Sequence, residues 1–362
     1  MSQLTLRELH HGLHANFSQL NDAEIVADYG DARAEYAALR ETAGVLDLSF
    51  RSRLCLVGAD RARYLHGQVT NDIKKLQVGE GCYSALTTAK GKMESDLNIF
   101  ALADELLLDF EPGLMEKVSQ RLGKYIVADD VQIVDAAPYY GLLSVQGPKA
   151  DAVVQALELF PEIPGNAFGS RKISDATLGE IYLANHPRLG THGFDLFIPT
   201  NSLGAVADKL IAAAKQAGGR AAGWTAFESA RIEAGISRFG ADMDETNIPL
   251  ECGIESRTIV YNKGCYIGQE VINRIHSLGH VNRELRGLQL AADLKDLPQR
   301  GDKLFHGGKE IGLVTSAVKS PTLNANIALG YVRREANQIG TELVLKTSAG
   351  ESMAKIVALP FV

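Results

Sequence analysis

The chain has 362 residues, 46% of them hydrophobic and 22% charged, and a net charge of −7. Its length predicts two or three domains of an ordinary globular protein, and its charge excludes a global positive field that would hold nucleic acid or an acidic membrane. No apolar run reaches the roughly 18 residues a membrane span needs, and the opening MSQLTLRELHHGLH lacks the apolar core of a secretory signal. Cys55, Cys82, Cys252 and Cys265 form no CxxC pair. That argues against a disulfide framework or a cysteine-built zinc or cluster site, and makes the reducing cytoplasm the expected compartment.

The first fifty residues read as helix-rich, with a helical pattern over 34–39 that Gly44 ends. Residues 53–58 (RLCLVG) alternate as a strand, and Asp60 stands as N-cap to a helix carrying Ala62, Leu65 and Val69. Strands follow over 82–88 and 95–102, around the turn Ala89-Lys90-Gly91, and over 105–110. A helix over 112–122 starts with proline, and 131–134 reads as a closing strand. The outline then repeats. Residues 142–147 (LLSVQG) resemble RLCLVG, a helix covers 148–157, strands cover 180–184 and 194–198, and an Ala-rich helix runs over 201–216 to Gly218. Two tandem β-α-β-β-α units predict an α+β fold with a duplicated ferredoxin-like half. From Val281 the text changes to short strands with Gly or Asn turns (285–290, 302–305, 310–316, 327–332, 342–345), which predicts a small β-barrel. The expected domains are 1–52 plus 141–278, 53–140, and 279–362.

Chemistry-bearing residues gather in a few segments. In KGCYIGQEV (263–271) two glycines bracket Cys265 just before a helix-like run over 269–276. The positive end of that helix and nearby Lys263 would favour a thiolate, although a lone cysteine is more often a small buried hydrophobe. The helix WTAFESARIEAG (224–235) carries Trp224 and Phe227, which could stack on a flat heterocycle or fill core, and Arg231, which could sit in an ordinary surface ion pair. In KGKMESD (90–96), Glu94 and Asp96 share a strand face, either to hold an amine or pterin or as a solvated hairpin edge. Asp195 lies in an apolar strand between Phe194 and Leu196; facing inward, it would need a partner. His10, His11 and His14 read as an exposed helix.

Together these segments resemble the YgfZ/GcvT family over nearly the whole chain. KGCYIGQE (263–270) matches the K-G-C-aromatic-x-G-Q-E signature of the YgfZ branch, and YLHGQVTND (64–72) and TAKGKM (88–93) fit the same branch. RIEAG (231–235), IPLE (248–251) and GHVNREL (279–285) follow the order seen in the superfamily. The resemblance implies three domains around a central folate-binding hole, with tetrahydrofolate as ligand. In the aminomethyltransferases of this superfamily a carboxylate after a Gly-Gly turn is thought to act on the folate-linked reaction. Here Lys92 replaces the second glycine, Ser95 stands where another aspartate would be, and Asp96 is kept. Asp195 falls where those enzymes carry a pterin-binding glutamate, and Arg231 could meet a folate carboxylate. The implied catalytic residues are Cys265 and Asp96. The implied cofactor-binding set is Asp195, Arg231, Trp224, Phe227, Lys263, Tyr266 and Gln269. On this resemblance the chain is expected to be a tetrahydrofolate-binding accessory factor for iron–sulfur enzymes, tRNA-modifying ones among them, with Cys265 as its reactive thiol. Its expected partners are folate and iron–sulfur client proteins, with tRNA involved only indirectly and no membrane. The alternative is a folate-dependent aminomethyl- or methyltransferase like the glycine-cleavage T-protein.

Overall fold

The computed structural model describes residues 3–362. The chain divides into two compact units: Met1–Ser84 with Asp96–Glu228, and Ala85–Ser95 with Ser229–Val362. No helix among the described residues is long and apolar enough to cross a membrane.

The first unit is built on a six-stranded sheet whose order is Ser170–Asp175, Gly179–Asn185, Gly193–Pro199, Tyr140–Gln146, Gly44–Asp47 and Arg220–Ala221. Strand alternation sorts its residues. Phe194, Leu196 and Ile198, with Leu143 and Val145 on the neighbouring strand, enter a core closed by helix Leu203–Gln216 through Leu203, Val206 and Leu210. Asp195 therefore points to the opposite face, where it is opposite Ser144 in register. A five-stranded sheet, in the order Gly81–Thr87, Met93–Ala101, Glu105–Phe110, Ser52–Val57 and Gln132–Asp135, carries the other strands. The tip of its first hairpin, Ala85–Ser95, belongs to the second unit.

Buried charges tie the two sheets of the first unit together. Asp109, on the strand Glu105–Phe110, is fully buried and accepts from Arg51 Nε at 2.8 and 3.1 Å, from Asn98 at 2.9 Å and from Arg188 Nη2 at 2.9 Å. Arg188 lies in the loop before Gly193–Pro199 and also holds Asp195, through Nη2 at 2.7 Å and Nε at 3.0 and 3.1 Å. His186 Nδ1 lies 2.8 Å from Asp195 Oδ2, and Arg51 Nη1 donates to Glu111 at 2.5 Å. Burial alone would raise both aspartates. The arginines reverse it, so Asp109 sits far below the usual carboxylate range and Asp195 falls to about 2.

In the second unit, six strands close a barrel in the order Arg283–Leu290, Ala325–Arg333, Lys309–Ser320, Lys303–His306, Glu342–Thr347 and Gly350–Val357. Leu288, Leu304, Val314, Val332, Leu345 and Ile356 fill it.

Several local expectations are corrected. The N-terminal segment is not mainly helical: Asn16–Leu20 and Ala23–Asp28 form a hairpin between two short helices. His10 is buried, not exposed, with Nε2 2.9 Å from Asp47 and Nδ1 2.9 Å from Tyr29. Asp60 stands at the N-cap of Arg61–His66 as expected, but its carboxylate accepts from the Asp130 backbone and Arg63 rather than from the helix start. The strands Gly44–Asp47, Ser170–Asp175 and Gly350–Val357 were not expected.

Two predictions follow from this packing. Arg188→Met leaves two buried carboxylates without their shared cation and should lower unfolding free energy by about 3–5 kcal/mol, read from urea denaturation; an unchanged midpoint would refute the network's role. Gly268 has φ +94°, and a Cβ there would lie 2.6 Å from both Thr87 Oγ1 and the Thr88 carbonyl, whereas Gly190, at φ +74°, has open space around it. Gly268→Ala should therefore cost about 2 kcal/mol or more, and distinctly more than Gly190→Ala.

Candidate functional site

The strand Met93–Ala101 alternates in burial: Met93 and Ser95 are inside, while Glu94 and Asp96 are half-buried. In the first unit, Asp96 Oδ2 accepts the Tyr83 hydroxyl proton at 2.7 Å. Loss of water raises the Asp96 carboxyl to about 6, and the charge of Glu111 adds to the rise; the Tyr83 hydrogen bond and the Arg51 charge oppose it. The two neighbouring carboxylates are thus held in different states. Asp109 is locked as an anion by two guanidinium groups, while Asp96 titrates near neutrality, where a carboxyl can both take and give a proton.

Also in the first unit, Trp224 and Phe227 open the helix Trp224–Glu233 and stack with ring centroids 5.0 Å apart at 24°. Phe50 meets the indole edge-on at 5.4 Å. Phe227 is buried and Trp224 half-buried, so Phe227 is core and only the indole offers ring surface outward. Asp195 is corrected more strongly. It is fully buried with both oxygens on Arg188 and one also on His186, so it shows no surface to a ring and holds Arg188 in place instead.

The second unit brings two of the sequence motifs together. The loop KGCYIGQE leads into helix Gln269–Leu278, and the hairpin tip TAKGKM packs on its start. Thr87 Oγ1 donates to the Ile267 carbonyl at 2.7 Å, and a Cβ on Gly91 would lie 3.4 Å from Val271 and Ile272. Glycine suits both sides for different reasons: Gly268 has no room for a Cβ beside the Thr88 carbonyl, and Gly91 turns with φ +71°. Lys92 Nζ donates to the Thr246 carbonyl at 2.6 Å, and Met93 N donates to Asn247 O at 3.0 Å, so the tip is also fixed to the segment leading into IPLE.

Within that loop Cys265 is exposed. Lys263 is buried, with Nζ 5.0 Å from the Tyr266 ring centre. Tyr266 packs with Ile259 and Ile272, and its buried hydroxyl has no hydrogen-bond partner among the described residues. A donor left without an acceptor in a closed site costs stability unless a ligand or water supplies one. Gln269 is half-buried at the helix start. Arg231 does not stand ready for a ligand carboxylate. It is buried, pairs with Asp242 at 2.5 Å, and donates to Ile236 O at 3.1 Å and Ser316 Oγ at 2.9 Å. Asp242 also accepts from Thr315 and Ser316, so within the second unit this cluster fastens the segment around Arg231 to the barrel strand Lys309–Ser320.

Sequence reading missed Tyr83, Arg51, Asp109, Glu111, Arg188 and Asp242. The run ELLLDFE (105–111) held a usable signal, because two carboxylates inside or against an apolar strand must find cations.

The GCVT N-terminal domain family matches residues 6–263, and the glycine cleavage T-protein C-terminal barrel domain matches residues 283–362. An aminomethyltransferase of Listeria monocytogenes is 27% identical over 339 residues, covering 93% of this chain and 91% of the relative. One of Rubrobacter xylanophilus is 28% identical over 360 residues, covering 98% and 93%. A crystal structure of the glycine cleavage system aminomethyltransferase T from Bartonella henselae superposes with a TM-score of 0.89 at 23% identity, covering 100% of this chain and 98% of that one, which shows the shared α+β and barrel fold. These findings correct the functional expectation. Full-length relatives named aminomethyltransferase overturn the reading of an iron–sulfur accessory factor with Cys265 as its reactive group, and nothing supports iron–sulfur client proteins as partners. Because both domain families match and together cover nearly all of its length, this chain belongs to the glycine-cleavage T-protein family.

Proposed function

We propose that this chain transfers an aminomethyl-type one-carbon unit to tetrahydrofolate, the one-carbon acceptor that the family uses. The observation that carries the reading is Asp96. The carboxyl kept from the superfamily pattern is half-buried, held by the Tyr83 hydroxyl and raised to about 6. When bound, tetrahydrofolate supplies the nucleophilic nitrogen that receives the carbon. The chain's part is to orient it and to manage one proton. Above pH 6 the Asp96 carboxylate is the acceptor for the proton that nitrogen must lose, and the same group can return a proton to a departing amine. The half-buried Trp224, whose indole stacks on Phe227, offers part of its ring as a flat apolar surface for the heterocycle. Within the family, we assign the chain to the branch marked by the complete KGCYIGQE motif at 263–270.

The test is formation of methylene-tetrahydrofolate from an aminomethyl-bearing donor. Asp96→Asn should lower kcat by about 10²–10⁴-fold with a smaller effect on KM, and the wild-type rate should fall as pH drops through about 6. Cys265→Ala should retain turnover. No turnover with any donor, or an Asp96→Asn variant of full activity, would overturn the proposal.

A further inference from the structure

The barrel places like charges side by side. Arg283 and Arg333 are direct cross-strand partners on Arg283–Leu290 and Ala325–Arg333, an arrangement that repels unless something anionic lies between or beside them. Arg334 follows at once, and its backbone N–H is tied to Asn282 O at 3.0 Å. Arg333 and Arg334 are both exposed, and among the described residues neither guanidinium has a hydrogen bond or ion pair. Lys92, from the hairpin tip of the same unit, adds a further cation, its Nζ also on Thr246 O at 2.6 Å, to an open cleft of about 860 Å³ that His280 and Asn282 line.

The acids lining the cleft do not neutralise it. Glu335 is held by Lys309 at 2.6 Å and feels the Arg333 charge only as the weaker influence, with no hydrogen bond between them. Glu251 meets Arg283 only at 3.3 Å and is shared with Asn247 and the Ile248 N–H. Arg283 Nη2 also donates to Thr246 O at 3.2 Å and Thr246 Oγ1 at 3.4 Å, and Nε reaches Glu251 at 3.3 Å, all longer than the about 2.7–2.9 Å of a closed charge-assisted pair, so the guanidinium keeps capacity for a better acceptor. The Tyr331 ring, 5.0 Å from its guanidinium, holds it in position. In a chain of net charge −7 this is a local positive site.

We propose that this cleft binds a compact oligophosphate, such as the diphosphate unit of a nucleotide or of another small phosphorylated metabolite. The forked donors of three arginines match phosphate oxygens two at a time. A concave space of several hundred cubic ångströms suits a small ligand better than the flat face of a partner protein.

Calorimetric titration of the full chain with pyrophosphate and with ADP tests this. One saturable site is expected for each, and Arg333→Gln/Arg334→Gln should weaken both by about tenfold or more at an unchanged melting temperature. A short RNA that binds more tightly than ADP, with the same sensitivity to the double substitution, would support phosphate recognition and identify a polynucleotide as its source. No saturable binding, binding that ignores the double substitution, or an oligoglutamate peptide that competes as well as pyrophosphate would overturn the proposal.

Discussion

The first unit depends on one constraint: Asp109 is buried without water and survives as an anion only because Arg51 and Arg188 both reach it. Arg188 in turn satisfies Asp195, and Arg51 satisfies Glu111, so two guanidinium groups serve three carboxylates across two sheets. Such an assembly contributes little net stability when complete, since desolvation offsets most of the attraction. Its value is positional. Each member is costly to leave unpaired, so the loop of Arg188 and the strands of Asp109 and Asp195 have one low-energy arrangement.

That arrangement also sets the chemistry of Asp96. Arg51 is engaged by Asp109 and Glu111, so it only weakly lowers a carboxyl that burial and the Glu111 charge raise. The cations have been used on structure, and the half-buried Asp96 is left as the group whose proton moves near neutral pH. In the second unit a comparable economy fixes Arg231 by Ser316 and by Asp242, itself held by two barrel hydroxyls, which makes a residue that looked like a ligand anchor into a fastening. Asp242 is accordingly held below the usual carboxylate range, mainly by the Arg231 charge acting against burial.

Much of this architecture was legible in the sequence because it rests on local period and on long motifs. The alternation in RLCLVG and LLSVQG, the helix over 201–216 and the change to short strands after Val281 all correspond to structure. The contact of KGCYIGQE with TAKGKM was not anticipated, because it joins segments some 180 residues apart. What the sequence hid was partnership across long separations. An aspartate in an apolar strand announces that it needs a cation, but not that the cation is Arg188, seven residues away, or that Arg188 also serves Asp109, 79 residues away. The same blindness made Asp195 and Arg231 look available to a ligand. The short edge strand Ser170–Asp175 was missed because its mostly exposed residues carry little of the apolar alternation that marks a strand. The function differs from expectation for another reason: the complete motif around Cys265 pointed to an iron–sulfur role, which the full-length likeness to aminomethyltransferases overturns.

The account turns on Asp96 being a carboxyl poised near neutrality by its surroundings. Carbon-13 NMR of the aspartate side-chain carboxyls across pH measures this directly. The account predicts a resonance, absent from Asp96→Asn protein, that titrates with a midpoint near 6 and moves toward the ordinary value when Glu111 is replaced by Gln. An Asp96 carboxyl already fully ionised at pH 5, indifferent to that replacement, would contradict it.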